Sequence, residues 1–276
     1  MPVFPESGWR KAGLYEIALC GARFGVTRVP LSVTLITLNA AAQLEACLKS
    51  VAFADEIVVV DSGSSDDTVA LARRYGARVI HRDWLGFGAQ KQFAVTQAAH
   101  DWVLCLDADE RVSPELQASI EAVLVAPDRC AYRFPRCNRF LGRYLRHGEG
   151  YPDWSLRLFD RRHGHWSDDA VHEKVVVTGE VGTLPGDLLH ESAETLATYL
   201  AKQNRYTSLA AEEAVGRGRR ANAAKIVLSP LLRFIKFYLL RGGFLDGLPG
   251  LVHVSIGCFN SFSKYAKMLE LQRGCK

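Results

Sequence analysis

The sequence lacks any run of about 18 uncharged apolar residues, the length that a membrane-spanning helix needs. The nearest candidate, LPGLVHVSIGCF at residues 248–259, is too short and is polar at its edges. A convincing signal peptide is also absent, because the early apolar run LYEIALCGARFGV contains Glu16 and Arg23 and has no clear cleavage site. We therefore expect neither an integral membrane protein nor a secreted one.

The seven cysteines form no CxxC pair and have no zinc-ligand spacing. Dispersed thiols in an odd number are typical of a reducing compartment, where most serve as small core residues. The 276 residues are 48% hydrophobic and 23% charged, which suits one large α/β domain, or one domain with an appendage.

The net charge of +4 is distributed unevenly. Residues 129–147 contain six arginines and no acid, and residues 217–241 contain seven basic residues and no acid. Two basic blocks of this kind indicate anionic partners: phosphates, nucleic acid or an acidic membrane surface.

Strand-like and helix-like segments alternate over the first half of the chain. The strand candidates are followed by segments with helical spacing, which predicts a mostly parallel sheet with helices on both faces. The predicted strands are 31–38, 56–60, 77–81 and 101–106, and the predicted helices are 42–51, 67–75 and 88–99. Ligands of such sheets bind at the carboxyl ends of the strands. The polar residues at these ends are Thr37, Asn39, Asp61, Asp107 and Asp109.

The pattern changes after residue 127. We predict an N-terminal extension over 1–29 and a main domain over 30–215, whose halves are 30–127 and 128–215. A basic amphipathic helical region follows over 216–276. The segment RGGFLDGLPGL at 241–251 is too rich in glycine for one continuous helix, so we expect a bend there.

Three acids stand close together in CLDADE: Asp107, Asp109 and Glu110. Carboxylates at a strand end repel one another unless a positive charge lies between them. Mg²⁺ or Mn²⁺ prefers carboxylate oxygens and completes its coordination with substrate phosphates and water. The alternatives are a surface acidic turn and a phosphatase-type nucleophile motif, which Arg111 disfavours because that motif usually has Thr or Val at its position.

Asp61 ends a predicted buried strand, where it could accept two hydrogen bonds from a ribose or from a base edge. The alternative is that the acids of DSGSSDDT are helix caps. That interpretation is favoured for Asp66 and Asp67, and the ligand interpretation is favoured for Asp61.

Three motifs carry a resemblance to a known family. VTLITLN (33–39), EIVVVDSGSSDDT (56–68) and DWVLCLDADERVSPEL (101–116) resemble the inverting family 2 glycosyltransferases, which have the GT-A nucleotide-sugar-binding fold. Several later segments look like the subgroup of lipopolysaccharide-core β-glucosyltransferases: GFGAQKQFAV (86–95), YPDWSLRLFDRR (151–162), VHEKV (171–175), LLHES (188–192) and FYLLRGGFLDGLPGL (237–251).

The resemblance implies a role for each matching donor-side residue. Thr37, Asn39 and Asp61 would hold the nucleoside, and Lys91 would approach the nucleotide or its diphosphate. Asp107 would lie near the ribose and the metal, and Asp109 would bind the divalent cation directly. His190 is a candidate third metal ligand, since imidazole can bind Mn²⁺; the alternative is a packed or capping histidine.

An inverting transfer needs a general base on the acceptor side. Glu173 in VHEKV is the first candidate, with His172 orienting it or binding phosphate, and Asp153 in YPDW is the second. The alternative for Glu173 is a structural pair with an arginine. Other downstream acids are Asp160, Asp168 and Asp169.

The first basic block is interpreted as an acceptor site for a phosphorylated glycolipid, because arginine forks match phosphate. The residues proposed for it, with two from outside the block, are Arg143, Arg146, His147, Arg157 and His172. The alternative is a solvated charged surface.

The second block predicts a helix that lies on an anionic membrane surface, and the alternative is a helix packed on the domain with a basic outer face.

Together these patterns predict a cytoplasmic, metal-dependent, inverting hexosyltransferase held at the inner face of a bacterial inner membrane. The resemblance to the core glucosyltransferases implies that it moves a hexose, glucose from UDP-glucose, onto the inner core of a lipopolysaccharide precursor. The alternatives are another acceptor (a polyprenyl phosphate, another glycan or a protein) and a non-catalytic nucleotide-sugar-binding protein. No nucleic-acid partner is expected, because the acids at 107–110 would repel phosphate without a metal.

Overall fold

The computed structural model describes residues 28–168, 173–192 and 195–274. The predicted extension over 1–29 therefore lies almost entirely outside the described residues. Four parallel strands lie in the order β3-β2-β1-β4, and three helices connect them. These elements are β1 (Leu31–Thr37), α1 (Ala41–Ser50), β2 (Glu56–Asp61), α2 (Thr68–Arg74), β3 (Arg78–His81), α3 (Phe87–Gln97) and β4 (Trp102–Asp107).

Alternate residues of β4 face two separate hydrophobic clusters. Leu104 and Leu106 pack in the cluster that includes Leu44 of α1, whereas Val103 packs in the cluster that includes Val95 of α3. A strand that is buried on both faces reads as a continuous apolar run, which is what WVLCL shows. The predicted helices on both faces of the sheet are confirmed.

The second half of the sheet is mixed. Strand β8 is antiparallel to both β4 and β6, and β12 is parallel to β6 and antiparallel to β5. This pairing places His190, at the end of β12, opposite Glu110 of β5. The elements are β5 (Glu110–Val112), α4 (Pro114–Val123), β6 (Ala131–Phe140), β7 (Arg143–Tyr144), β8 (Asp153–Asp160), β9 (Gly164–Trp166), β10 (Val175–Val177), β11 (Val181–Thr183) and β12 (Leu188–His190).

The C-terminal region is helical and bends where the glycines predict it. Helix α6 (Ala223–Phe234) runs on into a π-helical segment (Ile235–Leu240), and a 3₁₀ turn (Gly243–Asp246) follows before α7 (Gly247–Gln272). Gly242 makes the bend possible, because its φ of +66° is a conformation that favours glycine.

Helix α5 (Leu196–Gly216) packs against α7, and α7 packs against α6. Ala211 and Ala214 of α5 and Met268 of α7 share a small buried cluster. The packing therefore groups α5 with the region that follows it. Within the part of the chain that the structure describes, no helix is long and apolar enough to cross a membrane.

Candidate active site

A cleft of about 1090 Å³ opens at the carboxyl edge of β1 and β4. Strand ends form the floor of the cleft. Its walls are formed by the segments around Glu173 and His190 and by helices α5 and α7. The charged and polar residues that line it include Thr37, Lys91, Asp107, Asp109, Asn138, Arg139, Glu173, His190, Glu191, Tyr199, Lys202 and His253. The cleft thus brings together most of the predicted donor, metal and base residues.

Lys91 lies at the centre of the charged part of the cleft. Its Nζ is 3.1 Å from Asp107 Oδ1 and 3.2 Å from Glu173 Oε1. The ammonium also lies 4.7 Å from the centre of the Trp166 ring, and the side chain is only 8% exposed. One buried cation therefore joins the predicted donor side of the cleft to the predicted base.

The positive charge beside Asp107 comes from the chain itself. Lys91 Nζ lies 3.1 Å from Asp107 Oδ1 and 3.4 Å from Oδ2, and Arg157 Nη2 lies 3.0 Å from Oδ2. Burial works to raise the pKa of Asp107, but the charge of Arg157 and then that of Lys91 outweigh it and hold the pKa at about 2. Asp107 is therefore a carboxylate at neutral pH and is already paired with two cations.

Asp109 and His190 face each other across the cleft wall. His190 Nε2 is 3.2 Å from Asp109 Oδ2, and its Nδ1 is 2.8 Å from Asn138 Oδ1. With Nδ1 donating to this amide oxygen, a neutral ring would direct the Nε2 lone pair toward the carboxylate. Two facing electron-rich atoms need a proton or a cation between them.

The pair Asp109–His190 thus fits a divalent cation as two protein ligands. A donor diphosphate and water would supply the remaining positions. In the described ranges there is no group of three or more His, Cys, Asp or Glu side chains arranged to hold a metal. At this site the Asp107 carboxylate contacts Lys91 and Arg157.

Asp61 joins the predicted nucleoside residues into one hydrogen-bonded unit. Its carboxylate accepts from Thr37 Oγ1 at 2.9 Å, from the Gly63 and Ser64 amides, and from Ser64 Oγ at 2.5 Å. Burial works to raise its pKa, but these hydrogen bonds lower it overall. Asn39 accepts from the Ser65 amide at 2.8 Å, which links the same two loops.

Asp61 is 3% exposed, and Thr37 rather than Asp61 lines the cleft. Direct contact between Asp61 and a nucleoside would require one of its present donors to turn away. Asp66, by contrast, accepts from the Ala41 and Thr68 amides at the starts of α1 and α2, as expected for a cap.

Of the five predicted base candidates, only Glu173 lies in the cleft among the described residues. A close approach at Gly88 allows this position, since a Cβ there would overlap the Ser167 carbonyl and would lie 3.4 Å from Glu173 Cβ. Glu173 pairs with a lysine rather than with the arginine of the alternative interpretation.

The other candidates lie elsewhere. Asp153 is paired with Arg136 at 2.9 Å and does not line the cleft. Asp160 is paired with Arg162 and lies opposite Trp102, at the far end of β4. Asp168 is exposed. Asp169 and His172 lie outside the described residues.

The side chains of four of the predicted acceptor residues contact other parts of the chain. Arg143 donates to the Leu245 carbonyl at 3.1 Å, Arg146 is paired with Asp187 at 2.9 Å, and His147 contacts Asp246 at 3.0 Å. Arg157 is 7% exposed and lies behind Asp107. None of these four lines the cleft.

Four residues that the sequence analysis did not select form the other end of the cleft: Arg139, Tyr199, Lys202 and His253. The rings of Tyr199 and His253 lie 5.6 Å and 5.3 Å from the Phe140 ring. Arg139 lies within the basic block and could have been selected there. Tyr199 and His253 could not, because no local pattern predicts that α5 and α7 reach the cleft.

Burial lowers the pKa of His253 below its ordinary value of 6.5, and the charge of Arg233 lowers it further, while Asp246 acts in the opposite direction. The folded state therefore resists protonation of this ring. We expect the free energy of unfolding to fall as the pH drops below about 6.5. The fall should be shallower in His253→Gln, as measured by urea unfolding at pH 7.5 and 5.5. Identical pH dependence in the two proteins would contradict the assignment.

A parallel half-sheet with carboxylates at its carboxyl edge joins a mixed half, and the segments around Glu173 and His190 enter the same cleft; this arrangement is that of the GT-A fold. Residues 32–176 match the family described as Glycosyl transferase family 2, and the chain belongs to this family. The predicted fold and family are confirmed.

The chain is 32% identical over 253 residues to the lipopolysaccharide core biosynthesis glycosyltransferase LpsC of Rhizobium meliloti, a match that covers 89% of this chain and 94% of that protein. It is also similar to two solved structures. The first is the mannosyltransferase PcManGT of Pyrobaculum calidifontis with GDP-Man and Mn²⁺ (TM-score 0.49, 18% identity, 91% of this chain and 89% of that one). The second is the glucosyl-3-phosphoglycerate synthase of Mycobacterium tuberculosis with Mn²⁺, UDP and product (TM-score 0.34, 25% identity, 48% and 51%).

Proposed function

We propose that this glycosyltransferase is metal-dependent and inverting, and that it transfers a hexose, glucose from UDP-glucose, onto the inner core of a lipopolysaccharide precursor. The observation that carries the proposal is the shared cation: Lys91 lies between Asp107 and Glu173, with the Asp109–His190 pair in the same cleft. The similarity to LpsC supports the acceptor class.

The residues of the cleft suggest how the transfer proceeds. Asp109 and His190 would hold a divalent cation, which as a Lewis acid offsets the charge that develops on the departing diphosphate. Lys91, with its ammonium beside both acids, would add a second positive charge to the diphosphate. The nucleoside would lie against Thr37 and the Asn39 loop.

Glu173 would act on the acceptor. Its carboxylate would take the proton of the acceptor hydroxyl as that oxygen bonds to the anomeric carbon, while the bond from that carbon to the donor phosphate breaks. Attack from the face opposite the leaving diphosphate inverts the anomeric centre. A diphosphate that attracted the Lys91 ammonium would leave the Glu173 carboxylate free to contact the acceptor hydroxyl.

The acceptor would enter at the end of the cleft formed by the C-terminal helices. Arg139, already paired with Glu191, and Lys202 would bind its phosphate or carboxylate groups, and the Phe140–Tyr199–His253 wall would contact its sugar rings. This set replaces the four arginine and histidine positions that the structure ties to other segments.

Calorimetry with UDP, UDP-glucose, GDP-mannose and ADP-heptose, each with and without Mn²⁺, tests the proposal. We expect metal-dependent binding of UDP and UDP-glucose, and release of UDP when a lipopolysaccharide-core acceptor is added. Binding without turnover on any acceptor would support a nucleotide-sugar-binding protein instead. Absence of binding to all four would contradict the proposed function.

We further propose that the enzyme works in the cytoplasm, held at the inner face of the bacterial inner membrane by its C-terminal helices. Along α6, the π-helical segment, the 3₁₀ turn and the start of α7, several large apolar side chains are more than half exposed: Val227, Leu231, Leu232, Leu239, Leu240, Leu245 and Leu248. Lys225, Lys236 and Arg241 are exposed on the same segments. An apolar surface with a basic fringe is typical of helices that lie on anionic lipid.

Loss of two of these leucines should release the protein from lipid. Leu232 and Leu240 are 61% and 79% exposed. Burying one leucine contributes about 1.5–3 kcal/mol, so Leu232→Ser with Leu240→Ser should weaken binding by about 100-fold or more. Flotation with vesicles that contain an anionic phospholipid measures this. Val125→Ser, at an exposed position after α4, is the matched control, and equal flotation of all variants would contradict the surface.

A further inference from the structure

We propose that Glu110 and Arg157 are positioning residues that fix the carboxylate of Asp107 for binding of the donor nucleotide. The inference rests on the proposed function of the cleft and concerns two residues outside it. Glu110 is the third acid of CLDADE, and Arg157 is the arginine that the sequence analysis assigned to the acceptor.

Glu110 is fully buried, which is unusual for a carboxylate unless it is paired. One of its oxygens accepts the Asp107 backbone amide at 3.0 Å, and the other accepts from Arg157 Nη2 at 3.0 Å. Arg136 Nη1 lies 3.6 Å from the second oxygen. The buried glutamate thus holds both the backbone of the Asp107 turn and the arginine that faces its side chain.

Arg157 uses the same Nη2 nitrogen to contact Asp107 Oδ2 at 3.0 Å. Lys91 Nζ lies 3.4 Å from this same oxygen and 3.1 Å from Oδ1, so two cations together hold the Asp107 carboxylate. Both cations lie against the same aromatic ring. The centre of the Trp166 ring is 4.7 Å from Lys91 Nζ and 5.4 Å from the Arg157 guanidinium. One aromatic ring therefore supports both cations.

The orientation of Arg157 leaves its buried Nε without a hydrogen-bond partner among the described residues. An arginine that only neutralised Glu110 could turn to present two nitrogens to it in the usual fork geometry. Here a single nitrogen serves both acids. Arg157 is therefore oriented toward Asp107 as well as toward Glu110. Of these two acids, Asp107 is the one that lines the cleft.

Nucleotide affinity tests the proposal, with UDP and Mn²⁺ as the probe in calorimetry on the full chain. Arg157→Gln should weaken UDP binding by tenfold or more. Arg157→Lys, which keeps one charged nitrogen, should fall between Arg157→Gln and the wild type. In an Asp107→Asn background, Arg157→Gln should weaken binding no further, because the residue acts through Asp107.

Arg162→Gln is the matched control. It removes an arginine near the end of the same strand that pairs with another buried acid, Asp160, away from the cleft. We expect it to lower thermal stability without changing UDP affinity. If Arg157→Gln or Arg157→Lys folds and binds UDP as the wild type does, the positioning role is wrong while the proposed function stands. If the wild type binds no nucleotide, both are wrong.

Discussion

Glu173→Gln is expected to lower kcat by roughly 10²–10⁴ while leaving UDP-glucose binding close to that of the wild type. The amide keeps the shape of the side chain and an oxygen that can accept from Lys91, which lies 3.2 Å from Glu173 Oε1. What it loses is the ability to take the proton of the acceptor hydroxyl. The effect should therefore appear in turnover and not in donor affinity.

The measurement is steady-state transfer to a lipopolysaccharide-core acceptor, combined with calorimetry for the donor. Asp153→Asn is the matched control, because Asp153 was the second candidate and its carboxylate is paired with Arg136 outside the cleft. We expect Asp153→Asn to retain most of its activity. A large loss of kcat in Asp153→Asn with a small one in Glu173→Gln would reverse the assignment.

Asp109→Ala should remove the Mn²⁺-dependent part of nucleotide binding, with a loss of affinity of at least about 100-fold. The estimate follows because changing only the hydrogen-bond partners of metal ligands already costs about 10–100-fold in metal affinity. The fold should persist, since the link from this turn to β12 is made by the Asp109 backbone carbonyl, which accepts the Glu191 amide at 3.0 Å.

Calorimetry with UDP at several Mn²⁺ concentrations, together with thermal unfolding, checks this result. Asn138→Ala provides a graded comparison, because Asn138 contacts His190 Nδ1 and would not itself bind the metal. It should weaken Mn²⁺-dependent binding by about 10–100-fold. Unchanged Mn²⁺ dependence in Asp109→Ala would mean that the cation, if needed, binds at other residues.

Glu173 and Asp109 were both predicted from the sequence. Strand-end acids such as Asp109 can be found there for a physical reason. A carboxylate at the end of a buried parallel strand is visible in the sequence, because the apolar run and the acid are adjacent in the chain. WVLCL followed by Asp107 and Asp109 is one example, and VVV followed by Asp61 is another. For Asp61 the location was predicted, but its four hydrogen-bond donors, three from the turn that follows it and one from Thr37, were not.

The acceptor assignments depended on what a side chain would meet far along the chain. Arg143 and His147 contact residues about 100 positions later, in the turn before α7. A basic block read alone shows only that arginines are present. It does not show whether those side chains already form a hydrogen bond or an ion pair with a distant carbonyl or carboxylate.

The sequence by itself determined the parallel half of the sheet, the positions of the acids at its edge and the family, because periodicity, strand-end acids and family motifs are local signals. The tertiary structure alone decided which cations surround those acids, and that α5 and α7 complete the cleft. Ion pairs and close packing form between segments distant in sequence: Lys91 meets Glu173, and Arg157 meets Asp107. Only the folded chain brings such groups within the few ångströms at which charge and hydrogen bonding act.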